Sequence, residues 1–192
     1  MPFLMFVVIA LAVASSGCDN QTGPSGDTRV NAIVRDSAGS SSVTGTLSGN
    51  FQAAIESGGW TNLGSPNGIT VALQSANAST TVHGDQSVTP GSYGRVRLIL
   101  QGVTARVSRG SVIGATTLSN DATISLGGSD ERAELIVDVA SFAVEANQSI
   151  RRTVEFDLRS TQWLTSSALQ AGRVEDAALQ SAITATTRTE AR

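Results

Sequence analysis

The residues able to do chemistry are few. The chain has one imidazole, His83, one thiol, Cys18, and no lysine, all 13 of its basic residues being arginine. A zinc site of the usual four Cys/His ligands cannot be built from that set within one chain, and neither can an internal disulfide. His83 stands in the run Val82-His83-Gly84-Asp85, where an imidazole beside a carboxylate suggests an acid/base pair. No Gly-x-Ser-x-Gly or other strained-turn serine accompanies it, so a turn histidine is the expected reading. Glu155 and Asp157 fall two positions apart, about 6.7 Å along one face of a strand, a separation that overlaps the range of inverting glycosidases. Arg151 on the same face makes salt bridging on a solvated strand the default. Asp130, Glu131 and Glu134 follow Gly127-Gly128 and offer oxygens to calcium, but without the spacing of an EF-hand loop.

Trp60, after two glycines, and Trp163 are the candidate ligand contacts, able to stack on sugar rings through exposed faces. Against this stands the core, which has few large rings to draw on when aromatics make up 4% of the chain, and packing is the preferred reading for each tryptophan. No metal, cofactor or catalytic residue is assigned.

Cys18 carries the strongest local signal. Phe3 to Ala14 is an unbroken apolar run, too short for the roughly 20 residues of a spanning helix and suited to the core of a signal peptide. Ala14-Ser15-Ser16-Gly17-Cys18 then resembles the bacterial lipobox, whose cysteine is acylated and becomes the mature N-terminus. Ser15 stands where that motif usually has leucine, and the start of the chain lacks Lys and Arg. Ordinary cleavage after Ala14 is the alternative. Asp19 to Thr28 has no apolar residue able to pack and reads as a tether with a reach of roughly 17 Å. Asp19 resembles the inner-membrane retention signal of enteric lipoproteins, a code that is not universal, so the membrane stays open.

These groups have to be positioned by strands. Ile150 to Leu158, Ile69 to Gln74, Phe51 to Glu56, Val103 to Val107 and Glu134 to Val139 alternate apolar and polar residues with period two. Arg95 to Gln101 begins alternating and ends nearly continuous, as a central strand does. Turn signals recur about every ten residues, the spacing of an antiparallel sandwich or barrel. Ser166 to Thr187 reads as a short helical turn followed by a closing strand. The formal charge of -3 is scattered along the chain, which leaves no electrostatic footprint for nucleic acid.

Gly91-Ser92-Tyr93-Gly94-Arg95-Val96-Arg97-Leu98-Ile99-Leu100, then Phe142-Ala143-Val144-Glu145-Ala146 and Glu155-Phe156-Asp157-Leu158-Arg159-Ser160, resemble bacterial lipoproteins carrying the domain of unknown function 4382. Val96 stands for that family's isoleucine and Glu155 for its first aspartate, with Gly58-Gly59-Trp60 matching an earlier feature. The resemblance covers residues 42 to 188, implies an exported β-sandwich and supplies no activity.

The expectation is therefore an all-β chain, an antiparallel β-sandwich of immunoglobulin-like or transthyretin-like kind with at most a short C-terminal helical turn. Residues 1–17 are the signal peptide, 18–28 the lipidated cysteine and tether, 29–188 one domain and 189–192 a tail. The expected role is noncatalytic binding or adhesion at the cell envelope, toward glycan or protein. An envelope assembly factor is the alternative, and a carboxylate-dependent glycoside hydrolase is the least favoured reading.

Overall fold

The structure, a computed structural model, describes residues 29–35 by their backbone and residues 43–73, 79–146, 150–158 and 162–191. It is an all-β sandwich of two sheets enclosing one apolar core. The segments expected as leader and tether, with Cys18, lie outside the described residues.

The smaller sheet has four strands: β1 (Arg29–Arg35), β5 (Ser79–Ser87), β11 (Ile150–Asp157) and β13 (Thr184–Ala191), in the order β13-β11-β1-β5. β11 pairs antiparallel with β13 but parallel with β1, from Arg29↔Arg151 to Arg35↔Asp157. A parallel pair needs a long connection, and here the greater part of the other sheet supplies it. β11 is thereby an interior strand.

The larger sheet is organised by two long strands, β2 (Gly45–Glu56) and β6 (Gly91–Val107), paired antiparallel along their length. β3 (Trp60–Asn62) and β4 (Asn67–Ala72) flank opposite ends of β2. β9 (Ala122–Leu126) and β10 (Arg132–Val144) flank opposite ends of β6. A small hairpin of β7 (Val112–Ile113) and β8 (Thr116–Thr117) stands apart.

The runs Arg95–Gln101 and Val103–Val107 thus belong to one strand, and a bulge reconciles their phases. Val96, Leu98 and Leu100 face the core on one side of it, and Val103, Ala105 and Val107 on the other. One extra residue in β6 shifts the alternation so that both halves stay inward. Gly102, at φ 58, occupies that step, and its N–H donates to the Glu131 carbonyl at 2.8 Å. There β6 exchanges β10 for β9 as its neighbour.

The C-terminal segment holds more helix than a single turn. α1 (Ser166–Ala171) is capped by Thr165, whose side chain accepts from the Ala168 N–H at 3.1 Å, and is stopped by Gly172 at φ 68. β12 (Arg173–Val174) then runs parallel to β9, and α2 (Asp176–Ala182) packs on β10. β13 continues to Ala191, so residues 189–191, expected in a tail, complete the four-stranded sheet.

Candidate functional site

The turn at Ser57–Gly59, with Gly58 at φ 69, reverses the chain after β2 and lays β3 back along it, Trp60 opposite Glu56. Trp60 stands partly exposed on the face of the larger sheet that carries Arg95 and Arg97. The Arg97 guanidinium lies 4.5 Å from the ring centroid and that of Arg95 5.7 Å, both within cation–π range. The arginines are themselves held. Arg95 pairs with Glu56 at 2.8 Å and Asp138 at 3.4 Å, and Arg97 with Glu134 at 3.5 Å. Glu134 also bonds Arg132. The result is a patch of one indole and two guanidinium groups fixed by carboxylates from β2 and β10. Trp60 was legible as a candidate; Arg95 and Arg97 were not, although their two-residue spacing placed them on one face.

Trp163 does not offer a face to solvent. It is 1% exposed and belongs to the core, so of the two readings of this ring packing holds and the candidate stacking contact does not. A chain this poor in aromatics spends the indole on packing. Trp163 nevertheless borders a cavity of about 200 Å³ beside α1, β12 and α2, with Ala168, Ala171, Val174, Ala178 and the Arg173–Glu175 ion pair among its walls. The indole N–H has no hydrogen-bond partner among the described residues.

Glu155 and Asp157 are not a solvated pair bridged by Arg151. Glu155 is 2% exposed and pairs with Arg188 of β13 at 3.0 Å, while Arg151 pairs with Asp85 of β5 at 2.6 Å. The cause is the interior position of β11, which brings Arg188 of β13 against its polar face. Trp60 lies on the other sheet, so it lines no groove with these carboxylates.

His83 lies within β5, not in a turn, and is 7% exposed. Its ring packs on the Gly64 backbone, where an added side chain would come within 2.7 Å of Nδ1. Burial pushes its pKa below 6.5. Asp130 and Glu131 lie in the β9–β10 turn, where Ser129 Oγ donates to Asp130 at 2.8 Å. Glu134 is engaged by arginines. Among the described residues no group of three or more His, Cys, Asp and Glu side chains is placed to hold a metal ion, and no helix is long and apolar enough to cross a membrane.

No curated protein matches the chain. The solved structure of a fimbrial protein from Bacteroides vulgatus is similar at 9% identity and a TM-score of 0.36, covering 85% of this chain. The chain spans 54% of that protein's length. The sequence profile described as domain of unknown function DUF4382 matches residues 28–168, beginning earlier and ending sooner than the 42–188 read from motifs. The matched span runs from the threshold of β1 through Ala168 in α1 and includes Trp60, Arg95, Arg97 and Trp163. This chain belongs to the DUF4382 family.

Proposed function

We propose that the domain is a noncatalytic binding module of the bacterial cell envelope, anchored by a lipid on Cys18, and that it recognises a protein partner through the face around Trp60. The observation that carries this reading is the patch of Trp60, Arg95 and Arg97. Tryptophan and arginine are the residue types enriched among the anchors of protein interfaces. Here the ion pairs to Glu56, Asp138 and Glu134 hold them on strands before any partner arrives, which lowers the ordering cost of association.

Glycan is the less favoured ligand. Stacking on sugars would draw on a pair of open indole faces, whereas Trp163 is enclosed and Trp60 carries two guanidinium groups over its ring. The deciding experiment compares the full-length chain with its Trp60→Ala variant in cross-linking pull-downs from envelope extracts, alongside a glycan array. One envelope protein captured by the wild type and lost in the variant supports the proposal. Trp60-dependent glycan binding without a protein partner overturns it.

A further inference from the structure

We propose that the outer edge of β13 is a homodimer contact, at which two copies pair antiparallel about a two-fold axis through Thr189. The sandwich manages its strand edges unequally. The far side of β5 is stitched to β4: Asn67 Nδ2 donates to the Val82 carbonyl at 3.2 Å, and Thr80 Oγ1 donates to the Thr70 carbonyl at 3.4 Å. The far side of β10 is occupied at Ile136 by the Gln180 side chain. β13 lies near β10, but among the described residues no side chain bonds the backbone of its outer edge. Among the described residues it pairs with β11 alone, in unbroken register from Asp157↔Thr184 to Ile150↔Ala191.

The strand also lacks the usual protection against pairing. It has no proline, glycine or bulge, and four of its eight residues are threonine, which favours extended pairing. Arg188, Thr189 and Glu190 are all exposed.

Its charges select the occupant. When a strand pairs antiparallel with its own copy and Thr189 faces Thr189, each Arg188 faces the Glu190 of the other chain. Both charges of β13 are then matched, and the Arg188–Glu190 pair occurs twice by symmetry, as an isologous contact requires. Such cross-strand pairs fix register more than they add affinity. Arg188 remains available for this, since its side chain is 55% exposed while it bonds Glu155 and a guanidinium has donors to spare.

The test is sedimentation of the full-length chain over a concentration series, with a Glu190→Arg variant that sets arginine against arginine. Dimerisation weakened by about tenfold or more in the variant, with unchanged circular dichroism, supports the contact. A second variant, Thr189→Cys in a Cys18→Ala background, should form a disulfide-linked dimer on mild oxidation, because facing positions bring their Cβ atoms within about 5 Å. A wild type that stays monomeric at every soluble concentration overturns the proposal, even where a segment of another protein occupies the edge. A dimer indifferent to Glu190→Arg that fails to cross-link overturns it as well.

Discussion

Gln180 takes the place of a missing strand beside Ile136. Its Oε1 accepts from the Ile136 N–H at 2.9 Å and its Nε2 donates to the Ile136 carbonyl at 2.6 Å, so one side chain of α2 satisfies both backbone groups on the outer edge of β10. An edge left bare invites pairing with another chain. Gln180→Leu should therefore lower stability by about 1–2 kcal/mol, the usual cost of two partly exposed hydrogen bonds. It should also promote aggregation during refolding. Urea melts and light scattering check both, and a variant as stable and soluble as wild type would show that the amide merely rests on the edge.

Gly127 supports a different junction, where β9 turns toward β10. Its φ is 94, and an added Cβ would lie 2.7 to 2.8 Å from the backbone of Arg132. Strain and collision coincide there. Gly127→Ala should cost about 1–3 kcal/mol, whereas Gly94→Ala, with no atom within 4 Å of its Cβ position and no positive φ, should stay within about 0.5 kcal/mol. Equal losses at the two positions would argue against backbone strain as the cause.

His83 gives the fold a pH dependence whose sign follows from its burial. Its folded pKa lies below 6.5, so as pH falls past that value the unfolded chain takes up a proton that the folded chain refuses. Unfolding free energy should accordingly be lower at pH 5.5 than at pH 7.5, and His83→Gln should remove most of the difference. Asp121 does not interfere, because the Arg109 amide and the Arg106 side chain hold its carboxyl below 3.8. A wild-type stability that is flat across this window would mean the imidazole is solvated.

The strands that alternate cleanly were legible because side-chain direction follows the backbone: Phe51, Ala53 and Ile55 face the core, as do Val154, Phe156 and Leu158. Partners were not legible. Nothing in Ile150 to Leu158 states that β1 will lie parallel beside it, and without that neighbour the Glu155 face reads as solvent. The same blindness hid Arg97 at Trp60, a contact made by residues from the separate strands β3 and β6 and fixed by β2 lying between them. The bulge at Gly102 was invisible as a join because a phase shift in alternation looks like two strands. The cavity beside Trp163 depends on how α1 and α2 close, and small residues such as Ala168 and Ala178 do not announce a void.

Cys18 should be acylated and form the mature N-terminus. A twelve-residue apolar run followed by Ser15-Ser16-Gly17-Cys18 motivates this, and two acyl chains anchor stably where one is marginal. Mass spectrometry of membrane-purified protein tests it directly. A mature chain that begins at Ser15 with a free thiol would replace lipidation by ordinary secretion.

The ion pair between Glu155 and Arg188 should behave as a buried carboxylate paired with an exposed cation. Glu155 is 3% exposed at its side chain and Arg188 55%, so removing the two partners is not symmetric. Arg188→Ala leaves a desolvated negative charge and should cost about 1–3 kcal/mol. Glu155→Gln keeps the shape, removes the charge and leaves an arginine free to turn to water, so its cost should be smaller. Because the two residues share one interaction, the double variant should lose less than the sum of the single losses. Urea unfolding of the four chains at neutral pH measures the coupling directly. Additive losses would show that the two side chains are not coupled, leaving the other contacts of Glu155 to hold its carboxylate in place.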